Sequence, residues 1–197
     1  MEEKDKDQAK QGVRSFIALE LSQEAKEEIA RIEGILKNSD MEIRWTKPDS
    51  AHLTLKFLGD VEENLLAEIG KDLDNITSGK IAFDILLEDI GVFPDWRFPK
   101  VMWIGIGEGK DMVSDMAQEV EDAMEKRGFE KEKRPFKPHF TIGRVRRARK
   151  KEQFEKLVGT VTIRPVTSRI SNIILFKSVL TPKGAVYTPL HISHFFE

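Results

Sequence analysis

A chain of 197 residues with a formal net charge of -2 has the length of one domain, or of one domain built from two small lobes. Its 40% hydrophobic residues can fill a core, and the near-balanced charge confines any polyanion site to a local patch. The absence of cysteine excludes disulfides, thiolate metal sites and a cysteine nucleophile.

The opening "MEEKDKDQAKQGVR" lacks the apolar stretch of a secretory signal, and no later run is apolar enough to span a bilayer as a helix. A cytoplasmic protein is therefore expected, with residues 1–12 as a flexible charged tail and 13–197 as a single domain. "SFIALEL" (15–21) is short, apolar and bounded by polar residues, which predicts a strand. Ser22 then stands where an N-cap would, ahead of Ala25, Ile29, Ile32, Ile35 and Leu36 on one helical face. Within "IRWTKPDSAHLTLKFLG", Pro48 and the Asp49-Ser50 pair mark a turn before a strand from about His52 to Leu58. "VEENLLAEIGKDLDNI" has helical spacing, and "IAFDILLEDIGVF" alternates as a strand does.

The second half reads alike. "KVMWIGIG" (100–107) predicts a strand, and "DMVSDMAQEVEDAMEKRG" an amphipathic helix closed by Gly128. Prolines in "RPFKPHFTIGRV" precede another strand, and "RRARKKEQFEKLV" reads as a short helix. Two last strands, around "ISNIILFKSVL" and "AVYTPLHI", flank a "TPKG" turn.

The order strand, helix, proline-punctuated loop, His-x-Thr strand, helix thus occurs twice. His52 and His139 lie 87 positions apart, and the opening strands, at Phe16 and Met102, lie 86 apart. That agreement argues for a duplicated unit, with repeats at about 14–90 and 100–197. The expected fold is α+β and bilobal: two antiparallel sheets flanked by outer helices, around a central cleft with pseudo-two-fold symmetry.

In a strand, residues two apart share a face. His52 and Thr54 therefore face together, as do His139 and Thr141, and a two-fold cleft would oppose the two pairs. Two imidazoles suit acid–base attack on a phosphoester, one neutral to take a proton and one protonated to give it. Threonine hydroxyls can donate to the non-bridging oxygens as negative charge builds there. That division of labour needs no metal or other cofactor. A lone His-x-Thr is ordinarily a half-buried histidine beside a β-branched neighbour; two at matching places in a repeat point to function.

The combination resembles the two-histidine (2H) phosphoesterase superfamily, and within it the RNA 2',3'-cyclic phosphodiesterases formerly called 2'-5' RNA ligases. The resemblance rests on "SFIALEL", "RWTKPDSAHLTLKFLG", "PKVMWIGI", "KPHFTIGRV" and "FKSVLTPKGAVYTPL", and runs from about Val13 to Leu190. It implies a bilobal α+β fold and catalytic residues at His52, Thr54, His139 and Thr141. It implies opening of an RNA-terminal 2',3'-cyclic phosphate to a 2'-phosphate. His52 is then expected as proton donor and His139 as base, with 2'-5' joining as the reverse reaction. The resemblance also implies that Arg144 holds the phosphate, although strict alternation puts it on the face opposite His139. A bulge or strand end at Gly143 would re-aim it. Phe57 occupies the equivalent place in the first repeat.

"RVRRARKK" (144–151) is the densest basic patch, either a solvated helix start or the rim of an RNA cleft. Phe16 and Trp45 are candidates for stacking on a terminal base, or plain core. His191 and His194 lack a matching threonine and are expected to be bystanders. The expected partner is an RNA or nucleotide ending in a 2',3'-cyclic phosphate, bound by a monomer with no membrane contact. Two other readings stay open: a non-catalytic RNA or nucleotide-binding module on the same fold, and a metal-dependent hydrolase using histidines with Asp49 or Asp60.

Overall fold

The computed structural model describes residues 12–182 and 184–197. Most of the expected tail, residues 1–11, and Lys183 of the expected turn lie outside the described residues. Nine strands and four α-helices follow one another as β1 (Val13–Glu20), α1 (Gln23–Leu36), β2 (Glu42–Trp45), β3 (His52–Val61), α2 (Glu63–Thr77), β4 (Phe83–Phe93), β5 (Val101–Ile106), α3 (Lys110–Lys126), β6 (His139–Arg147), α4 (Lys151–Gly159), β7 (Thr167–Ile170), β8 (Asn172–Thr181) and β9 (Gly184–His194) among the described residues.

Local chemistry accounts for the helix ends. The Ser22 hydroxyl accepts from the Ala25 N–H and starts α1, which buries Ala25, Ile29, Ile32 and Leu36. Gly128, at φ 89°, closes α3 with Gly128 N–H donating to Glu125 and Phe129 N–H to Met124, the paired bonds of a Schellman end.

The strands form two antiparallel sheets, ordered β3-β1-β8-β9 and β2-β6-β5-β4-β7. The α+β, two-sheet, duplicated architecture expected from the sequence is the one found, but the sheets do not follow chain order. A late strand of each repeat pairs with the opening strand of the other: β4 with β5, and β8 with β1. Each sheet therefore draws on both halves of the chain. One face of each sheet joins the helices in a common core, in which Leu53, Leu55, Phe140 and Ile142 pack with Ile29, Ile69, Val113 and Val120. The other faces carry no helix, and β3 of the first sheet approaches β6 of the second.

Two differences from the sequence reading concern short strands. β2 and β7 have four residues each, too few to show a period, and are fixed by their neighbours β6 and β4. The basic run also divides. Pairing with β2 extends β6 through Arg147, so the helix begins only at Lys151 and Arg144–Arg147 are strand.

A buried ion pair ties the two halves together. Lys56, on the core face of β3 and 2% exposed, donates to both Glu121 oxygens on α3 at 2.8 and 2.9 Å and to the Glu130 carbonyl at 2.9 Å. Glu121 in turn accepts from the Glu132 N–H, in the segment that leads to β6.

Candidate active site

Along β3 the side chains of His52 and Thr54 are half-buried while Leu53 and Leu55 are buried; along β6, His139 and Thr141 alternate with Phe140 and Ile142 in the same way. Period-two geometry thus sets both His-Thr pairs on the helix-free faces. Each histidine is also held identically. His52 Nδ1 lies 2.8 Å from the Ser50 carbonyl, and His139 Nδ1 lies 2.6 Å from the Lys137 carbonyl. A carbonyl only accepts, so Nδ1 carries the proton in both rings and Nε2 is left free for proton transfer. Neither threonine hydroxyl has a hydrogen-bond partner among the described residues, whereas those of Thr77, Thr160 and Thr181 all donate to backbone carbonyls.

Burial pushes both imidazoles below their ordinary value of 6.5, against the opposing pull of the backbone hydrogen bond. One difference separates them. Glu20 faces His52 directly across the strand pair, and its charge favours the imidazolium; the residue across from His139 is Gly105.

Beyond each threonine the ladder skips a residue. Leu55 has no opposite number between Thr54 and Lys56, and Ile142 has none between Thr141 and Gly143. An extra residue inverts the alternation that follows it. Phe57 and Arg144, three positions after each threonine, are thereby returned to the histidine face. Phe57 lies 6.1 Å from Phe16, ring to ring, and Arg144 stands opposite Val101, two residues from Trp103. Phe57 and Arg144 are both exposed. The two sides of the cleft are therefore unlike, one aromatic and one cationic.

The aromatic residues do not all fall where expected. Phe16 does reach the site, its ring 4.7 Å from His52, but Phe176 at 5.2 Å and Tyr187 at 5.0 Å enclose it and only 3% is exposed. It supports the imidazole and leaves no open ring face for a base. Trp45 lies on the core face, beside the position a Gly143 side chain would take, with Lys37, just past the end of α1, over its ring. It shares no face with either histidine.

Tyr187, 4.9 Å from His52, and Phe93, 5.0 Å from His139, also line the site, and no local motif in the sequence marks them. Trp103 lies 6.5 Å from His139. Trp103 stands 87 positions after Phe16, the offset of the histidines, so the repeat held its signal. A Cβ on Gly91 would lie 2.2 Å from the indole, which explains the glycine on the neighbouring strand. His191 bonds Asp74 on α2 at 2.8 Å, away from both His-Thr pairs. Asp49 sits in the turn before β3 and Asp60 near its far end, opposite Arg14. Among the described residues no three of His, Asp and Glu gather as a metal-ligand group. No described helix is long and apolar enough to cross a membrane.

The family model described as LigT-like phosphoesterase matches twice in tandem, over residues 19–103 and 104–187. The chain belongs to that family. The two matches to the LigT-like model are the repeat in another form, each holding one His-x-Thr strand. Among its LigT-like relatives, the RNA 2',3'-cyclic phosphodiesterase of Methanothermobacter thermautotrophicus is 34% identical over 181 residues, 91% of this chain and 97% of that protein. The protein of the same name from Aquifex aeolicus is 35% identical over 179 residues, 89% and 94% of the two chains. E. coli LigT in complex with 3'-AMP has the same fold, with a TM-score of 0.75 at 24% identity over 94% of this chain and 99% of that one.

Proposed function

We propose that this LigT-like protein hydrolyses the 2',3'-cyclic phosphate at the end of an RNA, leaving a 2'-phosphate. The name carried by its relatives supports the substrate class. The observation that carries the chemistry is the matched pair of imidazoles, each with Nδ1 on a backbone carbonyl and Nε2 free beside an unengaged threonine hydroxyl.

In this scheme His139 Nε2 takes a proton from water, whose oxygen bonds to phosphorus. The bond from phosphorus to O3' breaks, and His52 Nε2–H protonates the leaving oxygen, giving a 3'-hydroxyl and a 2'-phosphate. Thr54 and Thr141 donate to the non-bridging oxygens, and Arg144 adds positive charge on the same side. Glu20 supports the assignment of His52 as the acid, because it favours the protonated ring. An exposed aromatic face for the terminal base is offered by Phe57, 63% exposed. Water reaches the cyclic phosphate far more often than a second RNA does, so hydrolysis dominates over joining.

The test is product analysis on an RNA ending in a 2',3'-cyclic phosphate, with and without a chelator. The expected product is the 2'-phosphate, formed at the same rate in EDTA. His52→Ala and His139→Ala each lower kcat by about 10²–10⁴-fold with unchanged circular dichroism. A 3'-phosphate product, loss of activity in chelator, or near-normal turnover by either variant would overturn the scheme. Full binding of such RNA with no turnover would mark the protein as a binding module instead.

A further inference from the structure

The rung of the second sheet where β2 meets β6 carries charge that nothing among the described residues neutralises. Arg44 and Arg144 stand directly opposite one another in the antiparallel ladder. Directly opposed like charges destabilise a strand pair. Both are exposed, and neither has a carboxylate partner among the described residues.

Carboxylates are nevertheless close by, in β2 and just before it, and they are spent on other cations. Glu42 pairs with Arg147 and Arg149, each at 3.5 Å, and Asp40 pairs with Lys150. Within the basic run Arg147, Arg149 and Lys150 are thus paired, whereas Arg144, like Arg146, has no carboxylate among the described residues.

The ladder also fixes which way the rung faces. Ile43 and Trp45, either side of Arg44, are packed on the core, so Arg44 points to the helix-free face with Arg144. Its guanidinium reaches the other sheet: Arg44 Nη2 lies 3.4 Å from where a Cβ on Gly184 would be, at the start of β9. Thr141 and Arg144 are successive residues on that face, about 6.6 Å apart along the strand, and Arg44 lies one strand further out, about 4.8 Å to the side. The Arg44 guanidinium, extended toward the start of β9, is available to a second phosphate beside the one at the threonines. A nucleic-acid strand brings a second phosphate within one nucleotide.

We propose that Arg44, facing Arg144 across the β2–β6 rung, is the seat of the phosphodiester one nucleotide upstream of the reacting phosphate. The protein thereby prefers an RNA end to a free cyclic nucleotide. This rests on the phosphodiesterase reading above and adds to it a second anion subsite and a residue that sets substrate length.

The experiment compares kcat/KM for three substrates: a nucleoside 2',3'-cyclic phosphate, the same nucleoside with a 5'-phosphate, and a dinucleotide ending in the cyclic phosphate. The wild type should prefer the two substrates with the extra phosphate. Arg44→Gln should reduce that preference about tenfold or more, and Arg44→Lys should retain part of it. An unchanged ratio in Arg44→Gln overturns the inference, whether overall activity falls or not. Preference for the dinucleotide alone, absent with the 5'-phosphate, would mean that the upstream base rather than its phosphate is read, and would also overturn it. A binding measurement keeps the two readings distinct. For a single-stranded RNA oligonucleotide ending in a 2'-phosphate, the slope of log K against log salt should flatten by about 0.7 in Arg44→Gln. An equal slope in wild type and variant counts against the subsite even if no cyclic substrate is turned over.

Discussion

At the scale of single residues, the two histidines are alike in what holds them and unlike in what faces them. A backbone carbonyl two residues earlier, in the turn before β3 and in the segment before β6, fixes the tautomer of each. Glu20 breaks the symmetry, standing across from His52 where His139 has a glycine. Burial lowers both imidazoles below 6.5, so free enzyme carrying one proton on the pair is most abundant on the acid side of that value. The pH profile of kcat/KM should accordingly be a bell with its maximum below about 6.5. If His52 is the acid, its deprotonation sets the alkaline limb. Glu20→Gln should then move that limb to lower pH and leave the acid limb in place. Movement of the acid limb instead would exchange the two roles. The histidines and threonines are legible in the sequence because a period of two needs no partner strand. Arg144 is not, because its direction depends on the residue skipped at Ile142.

At the scale of elements, two bulges and one buried ion pair shape the cleft. Both bulges come immediately after the threonine, at Leu55 and Ile142, 87 positions apart. Each turns the next exposed side chain toward the histidines, and the choice of Phe57 in one case and Arg144 in the other makes the cleft directional. Lys56, beside the first bulge, is directed into the core, where its charge is matched by Glu121 and the Glu130 carbonyl. Removing one partner of a buried pair leaves the other uncompensated. Lys56→Met should therefore lower the free energy of unfolding by about 3–5 kcal/mol, measured by urea denaturation. The double variant Lys56→Met/Glu121→Gln should recover most of that loss, since the introduced amide carries no charge and its oxygen can still accept from the Glu132 N–H. Failure of the second change to restore stability would show that packing, not charge, dominates there.

At the scale of the whole molecule, the exchange of β4 and β8 makes the halves interdependent. The β3–β1 pair is flanked by β8 and β9 from the far end of the chain, and the β6–β5 pair by β4 from the first half. A fragment ending between β4 and β5 would leave β1 with an unpaired edge and β4 without β5 or β7. Residues 1–98 expressed alone should fail to give a dispersed amide NMR spectrum, and mixing with 99–197 should restore one. A folded isolated half would contradict the account of the exchange.

What the sequence alone determined is the local part: helix caps, the periods of the long elements, the duplication, and the face shared by each histidine with its threonine. Those follow from bond geometry and the burial of apolar side chains over a few residues, and the same pattern supplied the family resemblance that the tandem matches bear out. The tertiary structure decided what depends on a partner distant in the chain. It set the four-residue strands β2 and β7, the exchange of β4 and β8, and the enclosure of Phe16 by Phe176 and Tyr187. It also set the direction of Phe57 and Arg144 and the opposition of Arg44 to Arg144. Register belongs to a pair of strands, so no single segment records it.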